Sequence, residues 1–186
     1  MKPHLSFAHN SWEKCVAPGD TVIDATVGNG HDTIFLVQLL KGQGRLIGYD
    51  IQPQALAQTQ KRLAGLLDPS WRDIVELREQ SHARLSETGI KLIVYNLGYL
   101  PGGDKTITTQ TESSVLSIQS ALSCLSPEGS ISITCYPGHA EGALEQAAIT
   151  EFLKTLPTDQ WNVCHHAWIN RPLSPTWIWL QALHGA

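Results

Sequence analysis

A chain of 186 residues with 42% hydrophobic and 16% charged residues fits one domain, 1–186, with a core of its own, and these values exclude a disordered chain. A net charge of −4 lacks the basic balance of tight non-specific nucleic-acid binding, although a local patch completed by a partner subunit leaves an RNA substrate open. No run approaches the ~20 apolar residues of a membrane span, and the polar stretch 1–11 lacks the apolar region of a secretory signal, so the expected compartment is the cytoplasm with no membrane partner.

In chain order, His9 and Asn10 lie in a stretch that either folds over a ligand or starts a polar helix. The turn Pro18-Gly19-Asp20 precedes a buried strand over 21–25, and a helix over 31–40 ends near Gly42 and Gly44. A strand over 45–49, closed by Asp50, leads to a helix over 53–67 with Pro53 in its first turn. Strands are predicted over 74–78 and 92–95. A helix over 109–125 keeps Val115, Ile118, Leu122 and Leu125 on one face. After the turn Pro127-Glu128-Gly129 comes a strand over 130–135, then a helix over 140–156 broken by Pro157. The runs 161–169 and 176–183 read as an antiparallel pair. Strands alternating with helices predict an α/β fold: a parallel sheet, helices on both faces, and a C-terminal hairpin at one edge. Ligands in such sheets bind beyond the carboxyl ends of the strands.

The first strand runs into Asp24-Ala25-Thr26-Val27-Gly28-Asn29-Gly30-His31-Asp32. Two glycines one residue apart allow a sharp turn and bring backbone N–H groups to a ligand ahead of a helix. Thr33 stands where a dinucleotide motif would carry its third glycine, which disfavours a NAD-dependent oxidoreductase, and Asp24 suits an ammonium-bearing ligand. Asp50, 22 residues after Gly28, is placed either to accept both ribose hydroxyls or to cap the next helix. Ser81 and His82 follow the third strand, where they meet an adenine edge or cap a short helix. The fourth strand ends in Asn96-Leu97-Gly98-Tyr99-Leu100-Pro101-Gly102-Gly103-Asp104-Lys105. Asn96 and Tyr99 resemble the Asn-Pro-Pro-aromatic arrangement of exocyclic-amine methylases, with Leu97 and Gly98 replacing the prolines; the plainer alternative is a Gly-rich turn. His139, after Tyr136-Pro137-Gly138, faces the site or caps the next helix.

The four cysteines, Cys15, Cys124, Cys135 and Cys164, form no Cys-x-x-Cys pair and read mostly as buried thiols. His165 and His166 point to opposite faces of a strand, so no metal is expected. Trp161, Trp168, Trp177 and Trp179 read as core packing rather than an RNA stacking platform.

The 24–33 and 96–105 motifs, with Ala8-His9 and the Tyr136-x-Gly138-His139 segment, resemble the bacterial rRNA-methylase-like family whose characterised members are the tRNA wobble-uridine methyltransferases called MnmM. The resemblance implies a Rossmann-like class I methyltransferase fold with a seven-stranded, mostly parallel sheet, the cofactor S-adenosylmethionine with S-adenosylhomocysteine as its product, and a homodimer acting on a tRNA anticodon arm. It carries over Asp24, Gly28, Gly30, Asp32, Asp50, Ser81, His82 and Asn96 as cofactor positions. His9, Asn10, Thr26, Asn29, Thr33 and Gln52 complete the expected cofactor set. Asn96, Tyr99, Tyr136 and His139 are the expected catalytic residues, and Tyr99, Lys105, Tyr136, His139 and Arg171 the substrate side. The rivals are methylation of rRNA or of a small amine, an oxidoreductase, and a non-catalytic cofactor- or RNA-binding module.

Overall fold

The computed structural model describes residues 3–66, 68–98 and 108–183. Seven strands form one sheet in the order β3-β2-β1-β4-β5-β7-β6. They are β1 (Thr21–Asp24), β2 (Arg45–Asp50), β3 (Val75–Glu79), β4 (Ile90–Asn96), β5 (Leu125–Cys135), β6 (Trp161–His166) and β7 (Thr176–Ala182). β3, β2, β1, β4 and β5 pair in parallel, whereas β7 runs antiparallel to both β5 and β6. The helices are α1 (Pro3–Cys15), α2 (His31–Leu40), α3 (Pro53–Leu66), α4 (Pro69–Arg72), α5 (Thr111–Cys124) and α6 (Ala140–Leu153).

Alternate residues of each strand feed two cores on opposite faces of the sheet. Ile23, Ile47, Ile93, Tyr95, Ile131, Ile133 and Ile178 pack with Ile118 and Ala121 of α5 and Ile149 and Leu153 of α6. Val22, Leu46, Leu92, Val94 and Trp177 pack with Leu36, Val37 and Leu40 of α2 and with Ala8 and Trp12 of α1. On this second face β5 contributes serines, and Ser132 Oγ accepts from Trp177 Nε1 at 2.8 Å, which satisfies two buried polar groups at once.

The segment around His9 is a helix. Ala8 and Trp12 in α1 and Val16 just past it recur every fourth residue and are all buried, so α1 is held by one narrow apolar stripe. Four expected boundaries are corrected. The helix predicted to include Thr109 and Leu125 spans Thr111–Cys124, and Leu125 already pairs with Ile90. The turn at 127–129 is absorbed inside β5, with Glu128 at φ 61° and a register shift opposite Ile90 and Leu92. α6 stops at Leu153, before the expected 156. β6 stops at His166, before the expected 169: its last partner is Trp177, β7 begins only one residue earlier at Thr176, and Pro175 before that lacks the N–H to extend the ladder.

Ile133 is fully buried in the strand that joins the parallel and antiparallel halves. Ile133→Ala is expected to lower unfolding stability by about 2–5 kcal/mol. In urea titration the midpoint should fall with the slope unchanged.

Candidate active site

β1 ends at Asp24, and the loop after it is tied to the strands on either side. Toward β2, the Val27 N–H donates to the Tyr49 carbonyl at 3.0 Å and the Gly28 N–H to Asp50 Oδ2 at 2.8 Å. Toward β4, the Ala25 N–H donates to the Val94 carbonyl at 2.9 Å, and the Asn96 N–H donates to Thr26 Oγ1 at 2.7 Å. The chain then turns through Gly28 (φ 50°) and Gly30 (φ 74°) into α2. A Cβ on Gly30 would lie 2.5 Å from Thr59 Oγ1, so conformation and space both demand glycine there.

The strand ends and this loop open on a cavity of about 1230 Å³. A pocket for one small ligand measures roughly 300–1,000 Å³, so two reactants fit together here. Thr26, Gly28, Asp32, Asp50 and Gln52 line it, as do Ser81, His82 and Asn96. Tyr136, His139 and Arg171 line it too, joined by Trp168 and Leu173. Asp24, Asn29, Gly30, Thr33, His9 and Asn10 are not part of its wall, and Asn10 is exposed. The expected residues Tyr99 and Lys105 lie outside the described residues.

Asp50 Oδ2 accepts from Gly28 N–H and Oδ1 from Gln52 N–H, both at 2.8 Å. Each carboxylate oxygen retains a second lone pair for a ligand hydroxyl. Asp24 is buried, accepting from Thr33 Oγ1 at 2.6 Å and from the Thr26 N–H at 3.1 Å. Burial first, then the charges of Asp32 and Asp50, push its carboxyl up to about 7. Three carboxylates converging this closely favour a cationic ligand over a phosphate-bearing one.

Asn96 Nδ2 donates to Asp32 Oδ2 at 3.1 Å, and Asp32 Oδ1 meets His9 Nε2 at 2.9 Å. Asn96 Oδ1 is buried with no hydrogen-bond partner among the described residues. Tyr136 lies beside Asn96; burial and the Asp32 charge push its hydroxyl up to about 12, so it remains a phenol at neutral pH. His139 caps α6: its Nδ1 accepts from the Gly142 N–H at 3.1 Å, which leaves the ring proton of the neutral form on Nε2. Both readings of His139 therefore hold, since it lines the cavity and caps the helix.

Burial lowers the His82 imidazole to about 4, so the ring is neutral. It bonds the Ala25 backbone, and its Nε2 is a buried acceptor without a partner among the described residues. Ser81 Oγ accepts from the Ala83 N–H at 3.2 Å in a tight turn, not at the start of a helix.

Sequence reasoning missed Glu145. This buried carboxylate accepts from Ser114 Oγ at 2.6 Å and Thr109 Oγ1 at 3.0 Å. Thr109 in turn accepts from the Gly98 N–H at 2.8 Å and donates its own N–H to the Gly98 carbonyl at 3.0 Å. Glu145 thus braces the cavity wall just past Asn96. Its only sequence signal is an acidic residue on the apolar side of a helix. Trp168, expected in the core, is 38% exposed at the cavity margin, because it lies past the end of β6. Trp177 is buried as expected. Among the described residues no group of three or more His, Cys, Asp or Glu is arranged to hold a metal ion.

The family model described as "Putative rRNA methylase" matches residues 46–182. The chain belongs to this family. A tRNA (mnm(5)s(2)U34)-methyltransferase of Arabidopsis thaliana chloroplasts is 33% identical over 189 residues, covering 96% of this chain and 69% of the relative. A Clostridium thermocellum structure named as an rRNA-methylase of the "putative" kind superposes with a TM-score of 0.92 at 34% identity, covering 98% of this chain and 99% of the other. A Streptococcus mutans structure, described as a "putative" methyltransferase in complex with SAH, superposes at 0.83 with 27% identity over 98% of this chain and 99% of the other. The family is one of S-adenosylmethionine-dependent methyltransferases, so the oxidoreductase and the non-catalytic module fall away. The residues present fit that cofactor. Clustered carboxylates suit its cationic groups, Asp50 its ribose, and the lone Nε2 acceptor of His82 an adenine amine.

A carboxyl raised from 3.8 to about 7 binds its proton more tightly in the folded than in the unfolded chain. Its contribution to stability is complete below the lower value and is lost as pH rises through the higher. Asp24→Asn should therefore remove a falling component from the stability curve between these two pH values. Urea melts of both proteins across that window test this, and a variant with the wild-type slope would refute it.

Proposed function

We propose that this chain N-methylates 5-aminomethyl(-2-thio)uridine at wobble position 34 of tRNA, giving the 5-methylaminomethyl form, within one domain spanning 1–186. The observation that carries the reading is the buried Asn96 Oδ1, an acceptor without a partner among the described residues, beside a cavity large enough for two reactants. The name of the Arabidopsis relative supports the choice of nucleoside.

S-adenosylmethionine supplies, when bound, a methyl group on a positively charged sulfur. The chain's own task is to hold and aim the amine. Asn96 Oδ1 accepts one amine N–H and so directs the nitrogen lone pair, and positioning of this kind lowers barriers by several kcal/mol, of order 7–11 in favourable models. An alkylamine has a pKa roughly like that of lysine, and burial lowers it. Neither aromatic neighbour is built to take the proton: Tyr136 remains a phenol, and the Nδ1 lone pair of His139 is committed to the helix cap. The amine therefore sheds its proton before it is enclosed, and the product leaves as an ammonium.

Asp50, Gln52, Ser81 and His82 form the cofactor side, and Asp24, Thr33, Asn29 and Gly30 shape it from outside the cavity wall. Tyr99, Lys105 and Arg171 remain the proposed substrate side, with Arg171 suited to a phosphate of the anticodon arm. A homodimer is the proposed assembly, supported by the exposed Val163, Ile169 and Leu173 in and after the edge strand β6. The proposed compartment is the cytoplasm, supported by four free thiols at Cys15, Cys124, Cys135 and Cys164. Methylation of rRNA is the alternative substrate reading, favoured by the family description.

Asn96→Ala should lower kcat on wobble-modified tRNA by about 10²–10³-fold, the usual cost of one preorganised hydrogen-bonding group. The dissociation constant for S-adenosylhomocysteine should stay near that of the wild type. Equal losses in both would make Asn96 a cofactor residue and sink the reading.

A further inference from the structure

Two hydrogen bonds run in series from α1 to the reaction cavity. His9 Nε2 meets Asp32 Oδ1 at 2.9 Å, and Asp32 Oδ2 accepts from Asn96 Nδ2 at 3.1 Å. A carboxylate only accepts hydrogen bonds, so the face of the Asn96 amide toward Asp32 must be its NH₂. Turned over, the amide would set Oδ1 against a negative charge and lose a charge-assisted bond. Asp32 thereby decides which end of Asn96 is left for a ligand, and that end is the buried Oδ1.

The carboxylate is itself held. The terminal torsion of an aspartate is soft, so one bond to Asn96 would not fix its plane. The second bond, from His9, does. The His9 ring lies 4.0 Å from Phe35 at an interplanar angle of 14° and 4.8 Å from Trp12, whose side chain is buried in the α1–α2 core. Asp32 stands in the first turn of α2, where the helix dipole favours a negative charge. His9 does not line the cavity, so its route to the chemistry runs through Asp32.

We infer that His9 and Asp32 are positioning residues that lock the Asn96 amide with its oxygen turned toward the substrate amine. The inference rests on the reading of Asn96 as the acceptor of the amine N–H. It gives α1 a task in turnover, and it gives Asp32 a role apart from contact with the cofactor.

The test compares wild type, His9→Ala, His9→Gln and Asp32→Asn, using S-adenosylhomocysteine calorimetry, methylation of wobble-modified tRNA, and the side-chain amide NMR signal of Asn96. That signal is assigned by its loss in Asn96→Asp. His9→Ala should lower kcat about tenfold or more, toward the ~10²-fold cost of a misplacement near 1 Å, without changing affinity for S-adenosylhomocysteine. His9→Gln, which restores an N–H donor, should recover part of the loss. Asp32→Asn should cost more than His9→Ala, because an amide at 32 accepts or donates and no longer dictates the orientation of Asn96. The Asn96 NH₂ hydrogens should exchange with water faster in His9→Ala than in wild type, with or without S-adenosylhomocysteine. Affinity falling in step with kcat, or an Asn96 signal unmoved in His9→Ala, would overturn the relay. If the wild type leaves the tRNA unmethylated, the substrate reading falls separately, and the amide signal still decides the relay.

Discussion

The loop after β1 is the constraint on which the site depends. Its backbone is stitched to β2 through Tyr49 and Asp50 and to β4 through Val94 and Asn96. These bonds require β1 to lie between β2 and β4, which is the strand order observed. Three segments distant in sequence are thereby fixed against one another at one end of the sheet. Asp50 uses one oxygen on the Gly28 N–H and the other on the Gln52 N–H, so the group suited to a ribose is already oriented by the loop it helps to hold. Rigid placement of this kind is what methyl transfer asks of a protein, since the leaving group is carried by the cofactor.

Electrostatics give the same frame a preference in ligand. Burial first, then the charges of Asp32 and Asp50, raise the cost of ionising Asp24. A cationic cofactor relieves that repulsion, whereas a pyrophosphate would add to it. Asp32 holds His9 with one oxygen and spends its other oxygen on Asn96. The charge that attracts the cofactor and the hydrogen bond that aims the amide thus meet in one side chain. Glu145 braces the same wall just past Asn96 through Thr109 and Gly98.

The strands were readable from short apolar runs, and their alternation explains the two cores. Boundaries were less readable where pairing, not composition, sets the end. β6 continues to look like a strand past His166, but its partner strand begins after Pro175. α1 was ambiguous because its inward side is narrow, with the polar His4 buried beside the apolar Ala8 and Trp12. The loop motifs named most of the cavity wall, since residues just past parallel strands must line it. Asp24 shows where that rule stops. It is the last residue of β1, and Ile23 faces the α5–α6 core, so alternation sends Asp24 to the α2 side, where Thr33 binds it. The His9–Asp32 and Thr109–Glu145 contacts join residues 23 and 36 positions apart on different elements, and no local pattern announces them.

Transfer of a methyl group to the aminomethyl nitrogen of a wobble uridine is the reaction proposed for this site. Its most direct test is nucleoside mass spectrometry of tRNA carrying 5-aminomethyluridine after incubation with the protein and S-adenosylmethionine. A gain of one CH₂ on that nucleoside alone, abolished by Asp50→Ala, is the expected result. A protein that binds S-adenosylhomocysteine yet leaves this nucleoside unchanged while methylating another RNA would contradict it.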